Sequence, residues 1–598
     1  MNPFVIILLL AMLVLASLPG CTGPGEPRNP GAADGGRKIL RIARRNEHKS
    51  LDPAAQFDSA SAQIVSNVYD TLLEYDYLRR PYVLVPLLLE KMPERQADGV
   101  SYLFTLRSGV RFIDDPAFPD GRGREVTIDD VIYSIKRFAD ANVNAKSFIL
   151  MQGVVEGLDE FRQATRDQGT SIDYDAHDVS GLRRVDGRRM VIRFTGENPL
   201  ALYPFAASPM SIVAREAVAH YGDAFGQHPV GTGPFVLRES DRRGTMVLVK
   251  NPNYHGRYPD AGLAAGAPAR LLDDAGKALP LVDEVHLPLI EESQPAMLRF
   301  RRGELDLHTV DRDNFIKMVH RDEDGVFQLK SPYREHFGMY TEEALTCEYI
   351  AFNMNDPLVG KNRALRQAIA YALDVESFIA IMLNGRAESL ATIVPQPIAG
   401  SERDIAIEYY EYDPEKARAK LTEAGFPGGE GLPPIQFDFR SATKEARQGF
   451  EFLRHELAMV GIRAVGRFHT FSAYLQRVES GNFQVGNSGW FADYPDAENF
   501  YQLLYSKNRP PGPNMGAFSH PEYDRLYEET RFMPNGPERF AKFERMAHIV
   551  RDEAPIVLRF NRLDFAIYQT RLRNVIGHMM NDAPFKFLNL DVGEGAAG

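Results

Sequence analysis

Cysteine and tryptophan are almost missing from this chain: two of the first and one of the second in 598 residues. If Cys21, close to the N-terminus, is modified, Cys347 stands alone, no intramolecular disulfide is available, and stability has to come from packing. The neighbours of Cys347, Tyr349-Ile350-Ala351-Phe352, mark it as a small strand residue near a core. Past the first twenty residues no segment is long and apolar enough to cross a bilayer, which excludes a channel or permease. Positive charge is also scarce. Sixty-nine Lys and Arg stand against 81 Asp and Glu, a net charge of -12, and nothing here favours a nucleic acid partner. Enzyme motifs are missing too: no Gly-x-Ser-x-Gly elbow, no phosphate loop, no His-Glu-x2-His, since Met459 stands where His455-Glu456 would need a second histidine. Acid pairs such as Asp114-Asp115, Asp129-Asp130 and Asp493/Asp496 have glycosidase-like composition, yet adjacent acids more often cap turns. The 14 histidines are scattered, with His308, His320 and His336 at no ligand-like spacing, so neither a metal nor a cofactor is expected.

What is present begins at the N-terminus. An apolar run over residues 4–18 ends in Leu18-Pro19-Gly20-Cys21, followed by a Gly/Pro-rich polar stretch. The run is short for a membrane span and meets small residues where a signal peptidase cuts. A cysteine directly after a small Gly is the arrangement of a lipidated residue. The expectation is a signal peptide over 1–20, lipidation at Cys21 and a flexible tether over 21–37. The leader lacks Lys and Arg, and Pro19 is unusual, so a plain cleaved signal or an uncleaved anchor stays open. With 44% hydrophobic and 25% charged residues, the rest is ordinary globular composition, long enough for more than one lobe.

Strand-like runs at Lys38-Ile39-Leu40-Arg41-Ile42-Ala43, Ser101-Tyr102-Leu103-Phe104-Thr105-Leu106-Arg107 and Met190-Val191-Ile192-Arg193-Phe194 alternate with helical patterns. Thr127-Ile128-Asp129-Asp130 is a capping box ahead of Val131, Ile135 and Phe138. Residues 148–185 and 256–277 read as a peripheral insertion and a surface loop. A strand through Tyr349 leads to a helix with Leu365, Ile369 and Leu373 on one face, stopped by Asn384-Gly385. Asp413-Pro414 opens a helix that Gly425 closes, a further helix runs through Leu453 and Leu457 to Gly461, and Ser519-His520-Pro521-Glu522 caps another. Alternation of this kind points to α/β lobes.

Eight stretches then carry a resemblance. They are Ser50-Leu51-Asp52-Pro53; Val68-Tyr69-Asp70-Thr71-Leu72-Leu73-Glu74-Tyr75; Tyr102-Leu103-Phe104-Thr105-Leu106-Arg107-Ser108-Gly109-Val110-Arg111-Phe112; and Asp129-Asp130-Val131-Ile132-Tyr133-Ser134-Ile135-Lys136-Arg137. Then come Val230-Gly231-Thr232-Gly233-Pro234-Phe235; Arg302-Gly303-Glu304-Leu305-Asp306; Leu365-Arg366-Gln367-Ala368-Ile369-Ala370-Tyr371-Ala372-Leu373-Asp374; and Gly489-Trp490-Phe491-Ala492-Asp493-Tyr494-Pro495-Asp496. In this order the chain resembles solute-binding protein family 5 of ABC importers, which includes oligopeptide-, dipeptide- and nickel-binding lipoproteins. The resemblance implies an α/β, two-lobed hinged clamp of the large periplasmic-binding-protein type with an inserted domain. By analogy the first lobe takes 38–55, 199–348 and 556–598, the inserted domain 56–198, and the second lobe 349–555. It also implies a non-enzymatic, monomeric receptor in the periplasm or at the cell surface. Such a receptor hands peptides or similar cationic solutes to permease subunits driven by cytoplasmic ATPases. A nickel or haem receptor, or a sensory lipoprotein, are the alternatives.

Trp490 and Asp493 sit in a segment whose flanks, Asn487-Ser488-Gly489 and Asp493-Tyr494-Pro495-Asp496, read as a loop. In the family, the acid at the position of Asp493 pairs with the ligand's α-ammonium and the Trp lines a side-chain pocket. An ammonium entering a closing cleft loses water and needs a fixed anion. The ligand backbone is then expected to add as a strand along residues 45–50, with Glu47 and His48, or along 485–489, with Asn487 and Gly489. Some relatives place arginines just before the Trp to meet a ligand carboxylate. Here Asn487 and Val478 hold those positions, and Arg477 next door should face elsewhere.

Overall fold

A computed structural model describes residues 36–591 except 57, 144, 169–172, 242, 265, 324, 582 and 583. Cys21, the leader and most of the tether lie outside the described residues. Three larger sheets organise the chain. A four-stranded sheet runs in the order Ile39–Arg41, Glu284–Pro288, Thr245–Lys250, Phe235–Ser240, its first pair parallel. A second four-stranded, antiparallel sheet takes Glu94–Arg95, Ser101–Thr105, Arg189–Arg193 and Leu182–Arg184. The third is an eight-stranded mixed sheet centred on Ile556–Gln569. The first two share one continuous apolar core that joins Phe104 and Ile135 to Leu248 and Val285. Separate clusters fill the region 345–558. Residues 148–185, read as a weakly patterned insertion, contain the helix Leu158–Gln168 and the strand Leu182–Arg184.

The motifs of the sequence brace one another. Arg137 forks onto Asp52 with two 2.7 Å bonds, tying the fourth motif to the first. At Gly231 a Cβ would lie 2.0 Å from the carbonyl oxygen of Val68, so only glycine allows that backbone approach. Between the two glycines Thr232 donates to Asp70. Asp306 accepts from the Arg41 amide and from the Arg571 guanidinium at 2.7 Å each. Arg366, 2% exposed, donates to four carbonyls, of Val359, Gly360, Glu553 and Ala554.

Thr127 does cap Ile128–Ala139 with a full capping box, and Asp413 caps Pro414–Glu423. Three local expectations need correction. The helix expected to run to Asn384-Gly385 is two, Arg363–Ala372 and Val375–Met382, because Asp374 accepts from the Ser377 amide and starts a new N-terminus. The cap of Pro521–Thr530 is His520, whose ring accepts from the Tyr523 amide, rather than Ser519. Trp490 lies on a strand, Val485–Phe491, not in a loop; pairing along Thr346–Phe352 overrides the weak strand preference of Asn, Ser and Gly.

The 14-residue strand Ile556–Gln569 holds the molecule together. Its C-terminal half pairs with Phe337–Glu343 and Leu307–Thr309, and its N-terminal half with Thr346–Phe352 and Ala387–Ser389. Where the first set meets the second, Ala344 and Leu345 interrupt the partner strand.

Candidate functional site

Side chains alternate across a strand, so one face of these joining strands carries Leu307, Thr309, Tyr340, Glu342, Asp564 and Ala566. All six line a cavity of about 700 Å³, which Phe491 borders from the other half of the molecule. The opposite face, including Met339, Leu563, Phe565 and Ile567, packs into an apolar cluster. The cavity is therefore a cleft with the joining strands as its floor.

Beyond Phe491 the chain turns. Asn499, fully buried, organises the turn: its Oδ1 accepts from Trp490 Nε1 at 2.8 Å and from the Asp493 amide at 3.0 Å, and its Nδ2 donates to Asp493 Oδ2 at 3.0 Å. Asp493 borders open space on one side and is crowded by protein on the others, and this desolvation raises its pKa. No cation pairs with it among the described residues. Asp496, three residues on, is paired instead: Arg539, 1% exposed, forks onto it at 2.7 and 2.8 Å.

Tyr494 stacks on Tyr203 at 5.4 Å, Tyr203 on Tyr75 at 6.3 Å, and Tyr75 meets Tyr82 edge-on at 6.3 Å. Burial pushes the Tyr75 hydroxyl well up, and the Tyr203 and Asp493 charges add to the shift. This aromatic column links the turn after Phe491 to residues 75–82. At its far end Tyr82 donates to Glu342 at 3.0 Å.

The other residues singled out in the sequence fall less neatly. Asn487 and Gly489 lie on Val485–Phe491, opposite Ile350 and Glu348. A Cβ on Gly489 would sit 2.8 Å from Glu348 Oε2 and 3.0 Å from Arg440 Nη1. The glycine clears room for an ion pair that Arg440 and Arg562 make with Glu348. Arg440 is the guanidinium that sequence reading missed; it lies about fifty residues from Trp490, and only strand pairing brings it close. Arg477 faces elsewhere as expected, bound to Asp438 at 3.0 Å. Residues 485–487 are paired on both sides and offer no edge for an added strand, which corrects part of that expectation. Past Asn487 the partner Ile435–Phe439 has ended, and the strand keeps one open side. On the other candidate edge, Arg45 and Asn46 line the cavity, Glu47 is 3.4 Å from Arg243, and His48 is buried, 3% exposed.

Two core-bearing halves joined by paired strands, with a cleft whose acids lack counterions, define a solute-binding clamp. The comparisons agree. The family described as bacterial extracellular solute-binding proteins, family 5 (middle region), matches residues 83–511. The chain belongs to that family. It is 25% identical to heme-binding protein A of Haemophilus influenzae over 88% of this chain and 87% of that protein. It is 24% identical to the dipeptide-binding protein of Escherichia coli, covering 79% and 80%. Among solved structures, the periplasmic binding protein DppA of Helicobacter pylori in complex with peptide STSA aligns with a TM-score of 0.67 at 22% identity, over 94% of this chain and 99% of that one. HbpA2 of Haemophilus parasuis aligns with a TM-score of 0.71 at 19% identity, over 92% and 99%. No helix among the described residues is long and apolar enough to cross a membrane.

Proposed function

We propose that this solute-binding protein captures peptides in the cleft and delivers them to the permease subunits of an ABC importer. In this reading it works as a monomer, catalyses nothing, and is held at a membrane by lipid on Cys21 after removal of a signal peptide. The halves close about Ala344-Leu345 and the facing segment near Arg562. The first lobe then comprises 38–55, 199–348 and 556–598, with 56–198 inserted, and the second lobe 349–555. The observation that supports the reading is Asp493, two residues past Phe491 at the cavity border, a carboxylate that forms no ion pair among the described residues. The α-ammonium of a peptide supplies the missing charge, Trp490 and Tyr494 flank it, and the open side of residues 488–491 offers main-chain groups to the ligand backbone. Glu47 and His48 lie beside the opposite wall, next to Arg45 and Asn46. Arg440, with its side chain 27% exposed and paired to Glu348, is a cation that a ligand carboxylate would have to share with that acid.

Calorimetry with Asp493→Asn tests this. Peptides with a free N-terminus lose roughly 1.5–3 kcal/mol of affinity, and N-acetylated ones bind about as before. Equal losses for both peptide types sink the ammonium role. The relative whose name records haem binding makes haem the second ligand to titrate. Saturable haem uptake without peptide uptake replaces the peptide reading.

A further inference from the structure

Two sets of contacts link residues that the division proposed above assigns to different lobes, and neither set uses a charge. In the first, the Tyr494 ring lies on the Tyr203 ring, 5.4 Å between centroids and 7° from parallel. Tyr203 opens the short helix Tyr203–Ala206 and is backed by Tyr75 at 6.3 Å. Tyr494 follows Asp493 in the turn that Asn499 holds. In the second, Tyr82, Met579 and Met580 pack against the apolar cluster of residues 345–558. Two of these three are fixed to the first lobe. The Tyr82 hydroxyl and the Met579 amide each donate to Glu342 at 3.0 Å. Arg80 holds the same segment by donating to the Gly577 carbonyl.

Charged contacts across the same division lie elsewhere. Arg403 pairs with Glu343 and Arg440 with Glu348, on the joining strands Phe337–Glu343 and Thr346–Phe352. Pairs beside the axis of rotation change little when the lobes part. A ring stack and thioethers laid on a core are lost at once, and water has to cover both surfaces.

We propose that these contacts form a built-in latch: the lobes shut on each other through Tyr203–Tyr494 and through Tyr82, Met579 and Met580, and a solute enters during brief openings. The latch rests on the two-lobe division above and not on the identity of the ligand. Its consequence is for affinity. A ligand that meets a clamp already biased towards the shut form does not bear the whole cost of closure, because the apparent dissociation constant is the intrinsic one divided by the competent fraction. Residues that touch no ligand then set the affinity for every ligand alike.

The test is small-angle scattering of the protein stripped of any solute. Wild type and Y203F, which keeps the ring, give one compact curve; Y203A/M580A gives a larger radius of gyration. Equal radii for wild type and Y203A/M580A overturn the proposal. If the double variant does not fold, as judged by circular dichroism, Y203A alone has to enlarge the radius or the proposal falls. Calorimetry with peptides adds a second readout. Y203A weakens binding about threefold to tenfold, the worth of one aromatic pair, and equally for free and acetylated N-termini. A loss confined to free N-termini makes Tyr203 a support of the Asp493 turn and overturns the latch. If no peptide binds at all, the peptide reading has failed separately, and the scattering comparison decides alone.

Discussion

The frame of this molecule and its cleft treat acidic side chains in different ways. In the frame several deep acids have a guanidinium: Asp52 with Arg137, Asp306 with Arg571, Asp496 with Arg539, Glu348 with Arg440 and Arg562. In and beside the cleft Asp493, Glu342 and Asp564 form no ion pair among the described residues, and desolvation raises the pKa of all three. A paired acid locks segments distant in sequence. An unpaired one stores an unmet demand that a ligand can satisfy. Asp493 and Asp496 show the contrast within a single turn.

The comparison breaks most sharply at Arg539. Arg539→Met strands Asp496 as an uncompensated buried charge and costs roughly 3–5 kcal/mol of stability, read by denaturant unfolding; a loss below 1 kcal/mol would erase the distinction. Asn499→Ala comes next. It leaves the Trp490 indole and the Asp493 amide without their acceptor, at roughly 1–3 kcal/mol each. It also shifts the fluorescence of the single tryptophan and weakens ligands with a free N-terminus. Glu342 gives a pH signature of opposite sign to a paired acid. Its carboxyl is raised from 4.5 to about 7, mainly by burial. Between those values the folded chain holds a proton that the unfolded chain has released. The empty protein therefore loses stability as pH rises through that window, and E342Q flattens the drop. Glu456, raised to about 8, has the same sign and persists in the variant, so the difference between melting curves is the measurement. Smallest is Thr127→Ala, which removes the capping box for about 1 kcal/mol and leaves ligand affinity where it was.

Much of the frame was legible in the sequence because its signals are local. A capping box, a Pro at N1 and a Gly stop each act within a few residues, and they placed Ile128–Ala139, Pro414–Glu423 and Lys444–Met459. The motifs that carried the family resemblance turn out to be mostly framework: Asp52, Arg137, Gly231 and Asp306 hold segments together and do not line the cleft cavity. Of the stretches the sequence singled out for a ligand, the edge 45–50 reaches the cavity through Arg45 and Asn46, and Trp490 and Asp493 flank its border residue Phe491. Asn499 looked like one more polar residue in a turn. Glu342 and Asp564 are more than two hundred positions apart, and only strand register sets them side by side. Even the strand through Trp490 was hidden, since its Asn-Ser-Gly core has poor intrinsic strand preference and is held by its neighbours.

The strand Ile556–Gln569 has a mechanical corollary. One unbroken backbone is stitched into the ladders of both halves, so cutting the chain at Ala344-Leu345 severs a covalent link without releasing either side. A protease nick there should give two bands on a denaturing gel and a single particle in solution, still able to flex about the surviving rod.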